Sequence, residues 1–186
     1  MTIHAAMLWR RLDVPGHDAC RLEQTDTGWR LEGAAAFGHK EGPTHLAYRV
    51  ECDSEWRTVS GHIQGFVGPR DIDFRVARGD AGWTLNDASA PGLEPLLDLD
   101  LSFTPATNLQ QLRRVAIGEG QAVSLPVAWL DVDAGTLTPL PQVYERRGAV
   151  TLWYQAPSVG YEGLLELAPN GFIRRYPNLW EAETLP

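Results

Sequence analysis

The chain has 186 residues, 44% hydrophobic and 22% charged, which is the composition of an ordinary globular domain. Seven Trp, five Tyr and five Phe exclude a largely disordered chain, and no apolar run reaches the length of a membrane-spanning helix. The net charge of −8 repels phosphate backbones, so we expect no nucleic-acid partner.

Alternating apolar and polar residues, typical of strands with one buried face, recur along the chain. In chain order they predict strands over 4–11, 19–24, 28–33, 44–53, 56–67, 70–78, 82–86, 96–101, 123–131, 142–147, 150–155, 161–167 and 172–176. Turn residues separate these runs, and Asn170-Gly171 indicates a two-residue hairpin loop. The pattern predicts an all-β sandwich or barrel with at most one or two short helices.

One segment fits two structures. Residues 108–116 could form a short helix, capped by Thr107 or Asn108 and ended by Gly118, or they could form another strand.

The domain organisation is simple, because no linker or change of composition divides residues 1–186 convincingly. The loop 87–95 is the best candidate boundary. Gly28-Trp29 and Gly82-Trp83 begin two similar short strings, a weak sign of an internal duplication that would divide near that loop.

Several familiar chemistries are missing from the sequence. It contains no Gly-x-Ser-x-Gly, no Cys-x-x-Cys and no phosphate-binding loop, and its five histidines lack ligand spacing. We therefore expect no cofactor, no metal and no catalytic nucleophile. Two cysteines, without a signal peptide or lipidation motif, predict a reduced cytoplasmic protein without stable membrane insertion.

Asp98 and Asp100 are the least expected charges, because they lie in the leucine-rich run 96–101. A carboxylate in such a run is unfavourable unless it is paired, and Arg113 and Arg114 follow as candidate partners. The pattern fits either structural ion pairs or a ligand site. The similar pairs Asp71/Asp73 and Asp131/Asp133 fit solvated strand faces.

Arginine supplies 15 of the 16 basic residues, and four Arg-Arg pairs occur, at 10/11, 113/114, 146/147 and 174/175. In a strand, the two members of a pair face opposite sides. One arginine of each pair could then point into a barrel and bind a carboxylate, phosphate or sugar headgroup. The alternative is that all of them lie at the surface.

The run from Asp98 to Asn108 (DLDLSFTPATN), followed by Arg113-Arg114, resembles a motif of the bacterial family called putative glycolipid-binding, long carried as a domain of unknown function. That family shows Asp-x-Asp-Leu, then Thr-Pro-Phe-Thr-Asn, then Leu-Pro-Ile-Arg-Arg-Leu. Ala106 stands where the family has Phe. Further matches are Gln142-x-Tyr144, Gly171-Phe172-Ile173, Tyr176-Pro177-Asn178-Leu179-Trp180 and, more thinly, Trp9, Leu22-Glu23, Gly33, Tyr48 and Asp53-x-x-Trp56-Arg57.

The resemblance implies a large antiparallel β-barrel of about fifteen short strands. The family is similar in shape to periplasmic carriers that hold the acyl chains of lipoproteins, and no catalytic activity carries over from it. If the family's Phe lines a ligand cavity, Ala106 would enlarge or reshape that cavity.

Our first hypothesis is a protein that binds an amphipathic lipid or glycolipid in a barrel cavity, with Arg113 or Arg114 at the polar end. The candidate ligand-binding residues are Asp98, Asp100, Thr104, Thr107, Asn108, Arg113, Arg114, Tyr144 and Tyr176. One alternative is an enzyme acting on a carbohydrate or lipid, with Asp98 and Asp100 as acid and base or as metal ligands. The other is a non-catalytic structural or interaction module in which the motif is scaffolding. We expect a binding protein rather than an enzyme.

Overall fold

The protein, seen in a computed structural model that describes residues 2–184, is built almost entirely of strands. In chain order its elements are β1 (Thr2–Arg11), β2 (Gly16–Gln24), β3 (Gly28–His39), β4 (Gly42–Asp53), β5 (Thr58–Val67), β6 (Arg70–Gly79), β7 (Gly82–Leu85), β8 (Ala88–Ala90), β9 (Leu99–Leu101), α1 (Asn108–Arg114), β10 (Ala122–Ser124), β11 (Val127–Asp131), β12 (Thr136–Leu140), β13 (Val143–Gly148), β14 (Thr151–Ala156), a 3-10 turn (Pro157–Val159), β15 (Tyr161–Leu167), β16 (Ile173–Tyr176) and β17 (Trp180–Ala182). The predicted all-β class with at most two short helices is confirmed.

Fourteen strands form one antiparallel sheet, in the order β10-β13-β14-β15-β16-β17-β1-β2-β3-β4-β5-β6-β7-β8. Strands β1 to β6 follow one another as long hairpins, and β1 also pairs with β17, with Trp9 opposite Ala182. The strands alternate buried and exposed residues because one face is covered, as in β4, where Leu46, Tyr48 and Val50 are buried. Because β10 and β8 are edge strands, hydrogen bonds do not close this sheet into a complete barrel. We call the sheet the wall.

A three-stranded sheet of β12, β11 and β9, in which β9 and β11 are parallel, accompanies the large sheet. We call residues 98–111, which include β9 and the start of α1, the plug. Leu99 of the plug packs where Gly61 of β5 has no side chain, because a Cβ there would lie 2.5 Å from Leu99 Cδ2. The Phe103 ring packs edge-on against Tyr48, with ring centroids 5.8 Å apart. These contacts pack the plug against β4 and β5 of the large sheet.

The segment that fitted two structures is a helix. Helix α1 ends at Arg114, before Gly118, because Val115 is already extended (φ −117°, ψ 115°). Thr107 stands at its N-cap position, but the Thr107 hydroxyl accepts a hydrogen bond from the Leu101 amide (3.2 Å) instead of capping the helix.

The hairpin at Asn170-Gly171 exists, but its loop is longer than the two residues predicted. The loop spans 168–172 between β15 and β16, and the Ala168 amide closes it by donating to the Phe172 carbonyl at 2.8 Å. Gly171 has a φ of +87°, which favours glycine. No helix within residues 2–184 is long and apolar enough to cross a membrane.

Candidate functional site

Asp98 is completely buried and forms an ion pair with Arg114 of α1. The Arg114 Nε donates to Asp98 Oδ1 at 3.2 Å, and Nη2 donates to Oδ2, so both carboxylate oxygens are occupied. Burial raises the pKa of Asp98, and the bond from Arg114 opposes that rise. Of the two candidate partners, the structure places Arg114 on Asp98. Arg113 instead donates from Nη2 to the Asn170 carbonyl at 2.7 Å.

Asp18 of β2, which the sequence analysis did not select, is the second buried carboxylate against the plug. The Tyr48 hydroxyl lies 3.0 and 3.2 Å from its two oxygens, and the Thr104 hydroxyl donates to Oδ2. Burial raises the pKa of Asp18 to about 6, against the effect of these two hydrogen bonds. Gly33 of β3 makes room for this contact, because a Cβ there would lie 2.5 Å from the Tyr48 hydroxyl oxygen.

Asp100 of the plug is the third buried carboxylate of this region, and it ends a chain of side-chain hydrogen bonds. The Asn108 amide donates to the Tyr144 hydroxyl (2.8 Å), Tyr144 donates to Gln142 Oε1 (3.1 Å), and Gln142 Nε2 donates to Asp100 Oδ2 (2.7 Å). Burial raises the pKa of Asp100 to about 6, and the Gln142 bond lowers it in part. Within residues 2–184 no group donates to Asp100 Oδ1.

A cavity of about 280 Å³ lies between the plug and the strands β14 to β17, and we call it the tyrosine cavity. Its lining residues are Asp100, Leu101, Ser102, Thr104, Pro105, Asn108, Trp129, Leu140, Tyr154, Ala156, Val159, Gly160, Tyr161, Tyr176, Leu179 and Trp180. Four of the nine candidate residues thus line one cavity: Asp100, Thr104, Asn108 and Tyr176.

The other five candidate residues lie elsewhere. Asp98, Thr107 and Tyr144 are buried in the hydrogen-bonded framework behind or beside the cavity. Arg113 and Arg114 line a different hollow, so they do not stand at the polar end of the tyrosine cavity. Ala106 is buried but does not line the cavity either, so the difference from the family's Phe does not reshape it directly.

Tyrosine rings form one wall of the cavity. The ring centroids of Tyr161 and Tyr176 are 4.9 Å apart, and Tyr154 lies 5.7 Å from Tyr176 and 5.9 Å from Tyr161. Tyr144 extends the group behind the wall, with its ring 4.8 Å from that of Tyr154, so four of the chain's five tyrosines meet here. The sequence analysis did not select Tyr154 and Tyr161, although each falls in a run that it predicted as a strand, 150–155 and 161–167.

The tyrosine cavity carries little charge. Asp100 is the one charged residue among those that line it. None of the eight arginines in Arg-Arg pairs is fully buried in the described chain, and none of them lines the tyrosine cavity. Asp98 is paired with Arg114 and does not line the cavity, so the structure does not place Asp98 and Asp100 together against one ligand. Residues 2–184 contain no group of three or more side chains that could hold a metal ion.

The fold and this cavity define a class of protein: a large antiparallel sheet, not closed into a barrel, that packs against a segment held by buried hydrogen bonds and an ion pair. The chain belongs to the family described as "Putative glycolipid-binding", whose sequence profile matches residues 6–182. A crystal structure of a DUF1089 family protein from Pseudomonas aeruginosa is similar, with a TM-score of 0.75 and 20% identity over 88% of this chain and 91% of that chain. At that identity the likeness shows the fold alone. No curated protein matches the chain.

Proposed function

We propose that the protein binds the headgroup of a glycolipid in the tyrosine cavity, with the lipid tail outside. The observation that carries this proposal is a buried carboxylate, Asp100, which lines a cavity walled by aromatic rings and has one oxygen without a partner in the described chain. Small-molecule sites combine apolar and aromatic walls with a few directed polar groups, as this cavity does.

The size of the cavity favours a headgroup over a complete lipid. Ligand pockets typically enclose ~300–1,000 Å³, and the tyrosine cavity, at about 280 Å³, lies at the lower end of that range. The plug occupies the interior where an acyl chain would otherwise lie. The tail would therefore leave past Val159, which is 45% exposed, and the half-buried Leu179, both of which line the cavity.

The charge of the cavity indicates which headgroups fit. A carboxylate accepts hydrogen bonds and repels anions, so Asp100 would bind hydroxyl groups and disfavour a phosphate. The faces of the tyrosine rings carry negative electrostatic potential and pack well against the C–H groups of a sugar ring. These properties support a neutral, hydroxyl-rich headgroup.

Native mass spectrometry with octyl glucoside below its micelle concentration tests the proposal, beside organic extraction of the purified protein for a bound lipid. We expect one glucoside per chain. The variant Asp100→Asn should bind at least tenfold more weakly, because an amide replaces the carboxylate acceptor. Asp73→Asn is the matched control, since Asp73 is exposed on β6 and pairs with His62 at the surface. No bound glucoside, or equal binding by both variants, would overturn the proposal.

The enzyme alternative has less support. A glycosidase of the common kinds needs two carboxyl groups on either side of the scissile bond, and Asp100 is the one carboxylate among the lining residues. The scaffold alternative explains Asp98 and Thr107, whose contacts hold the plug together, but it leaves the unpaired oxygen of Asp100 without a role.

A further inference from the structure

A second hollow brings together two motifs that are distant in sequence and that the tyrosine cavity does not use. Residues Trp56-Arg57 and Arg113-Arg114, with Glu55 and Leu97, line an open space of about 420 Å³. We call it the Trp56 hollow. It shares no lining residue with the tyrosine cavity, so it is a separate place on the molecule.

The aromatic wall of the hollow is held in place from two sides. The Asp53 carboxylate accepts hydrogen bonds at 2.9 Å from the amides of Glu55 and Arg57, which fixes the turn, and Trp56 has a φ of +66°. A large aromatic residue rarely adopts that conformation. Trp29 then stacks on the Trp56 ring at 4.5 Å, nearly parallel. The Trp56 ring is thus oriented before any ligand arrives.

The guanidinium groups around this ring keep unused donors. Arg113 lies over the Trp56 ring at 5.9 Å, and its contact with the Asn170 carbonyl uses Nη2 alone. Arg113 has no carboxylate partner within residues 2–184. Arg114 gives Nε and Nη2 to Asp98, which leaves its Nη1 without a hydrogen-bond partner among residues 2–184. Arg57 pairs with Glu55, whose side chain is 61% exposed, and such an exposed ion pair is easily exchanged.

We infer that the Trp56 hollow binds the oxyanion of a small molecule, a phosphate or carboxylate group, between the guanidinium groups of Arg113 and Arg114, while the Trp56 ring holds the Arg113 guanidinium in place. Guanidinium groups present pairs of N–H donors that match two oxygens of such an anion. Three of the six residues that line the hollow are arginines and one, Glu55, is acidic, although the chain as a whole has a net charge of −8. Arg113 is the arginine of the three that has no carboxylate partner within residues 2–184.

Titration of the full chain with inorganic phosphate and, separately, with acetate tests the inference, at constant ionic strength set by chloride. The indole N–H signal of Trp56, assigned by its loss in Trp56→Phe, reports binding by NMR. We expect a saturable shift with at least one of the two anions. A response to both assigns a general oxyanion site, and a response to phosphate alone assigns a phosphate ester as the ligand class.

Two arginine variants give the matched comparison. Arg113→Gln should weaken binding at least tenfold, because it removes a guanidinium beside the ring. Arg147→Gln should bind like the unchanged chain, since Arg147 also lies over a tryptophan, Trp153 at 4.7 Å, but on another face and paired with Glu145. A shift that does not saturate with either anion, or equal affinity of Arg113→Gln and the unchanged chain, would overturn the inference. Octyl glucoside should leave the Trp56 signal unmoved, so this site and the tyrosine cavity are tested independently.

Discussion

Asp18 of β2 and Asp100 of the plug are two buried carboxylates, and burial raises the pKa of both to about 6. Their surroundings differ. Both oxygens of Asp18 are occupied by the hydroxyls of Tyr48 and Thr104, and Asp18 does not line the tyrosine cavity. Asp100 has Gln142 on one oxygen and no partner in the described chain on the other, and it lines the cavity. Burial and a raised pKa are therefore common to both carboxylates, and our proposal depends on the hydrogen-bonding capacity that Asp100 alone of the two leaves unused.

The largest effect should come from the sealed part of the plug. Asp98→Ala leaves Arg114 unpaired, with its side chain only 19% exposed, and breaking a buried pair in this way destabilises a protein by ~3–5 kcal/mol. Urea unfolding measures the change. Asp133→Ala, which removes an exposed partner of Arg70, is the control and should lower the free energy of unfolding by less than ~1 kcal/mol. Similar losses in both variants would contradict the buried ion pair of Asp98 with Arg114 described above.

The pH dependence of the free energy of unfolding tests the raised pKa of Asp100. Because folding raises the pKa of Asp100 from 3.8 to about 6, the folded state holds the proton more tightly than the unfolded state. The stability from this proton is complete below about pH 4 and is lost as the pH rises to about 6, a change of ~3 kcal/mol. Asp100→Asn lacks this loss, so the variant should gain stability relative to the unchanged chain between pH 4 and 7.

A pH titration followed by NMR, with and without octyl glucoside, distinguishes Asp100 from Asp18. Saturating octyl glucoside should lower the pKa of Asp100, because hydroxyl donors favour the charged carboxylate, and should leave the pKa of Asp18 unchanged. The two side-chain carboxyl signals, followed by NMR against pH, report the difference. Equal movement of both pKa values, or of neither, would contradict the contrast between the two carboxylates.

A smaller effect is expected when each carboxylate is deleted. Asp18→Ala leaves the buried hydroxyls of Tyr48 and Thr104 without their acceptor and should lower the free energy of unfolding by ~2–3 kcal/mol. Asp100→Ala removes one acceptor beside an open cavity, where water can replace it, and should lower that energy by only ~1 kcal/mol. Urea denaturation at pH 7 ranks the two variants. The reverse order would mean that Asp100 is the structural carboxylate.

The smallest expected effect concerns Gln111 of α1, one turn after Asn108. Its side-chain amide is fully buried, and neither its oxygen nor its nitrogen has a hydrogen-bond partner among the described residues. Gln111→Met should change stability by less than ~1 kcal/mol or increase it, because an apolar side chain of similar size avoids burying unpaired polar atoms. Thermal unfolding is sufficient as a measurement. A clear loss of stability would indicate that an ordered water occupies the space around the amide.

Strand content was predictable because alternation follows from a sheet with one covered face. Strand β4 shows this, since Leu46, Tyr48 and Val50 take alternate positions in the predicted strand 44–53 and all three are buried. The ion pair of Asp98 with an arginine was also foreseeable, because a carboxylate among leucines needs a partner. Asp18 was missed although it occupies an inward position in β2, since an isolated Asp in a strand gives no spacing motif.

The cavity could not be predicted from local patterns. Its floor comes from the plug and its wall from β14 to β17, and nothing in the sequence states that these segments meet. We expected Arg113 or Arg114 at the polar end of a barrel cavity. That expectation assumed that an Arg-Arg pair lies in a strand, where one of its members points inward. Residues 108–114 form a helix instead, so Arg114 turns to Asp98 and Arg113 reaches the loop at Asn170.

The pairing of β1 with β17 has a consequence for the order of folding. Strands β1 to β6 form from neighbouring hairpins, whereas Trp9 donates to the carbonyl of Ile173, 164 residues away along the chain. Contacts between distant residues form slowly, because a long loop must close before they contribute any stability. We expect the hairpin series to assemble early and the β1–β17 seam to close late. The wall of the tyrosine cavity is itself a series of neighbouring hairpins, β14 to β17, so we expect it to form early as well and to join β1 only when the seam closes.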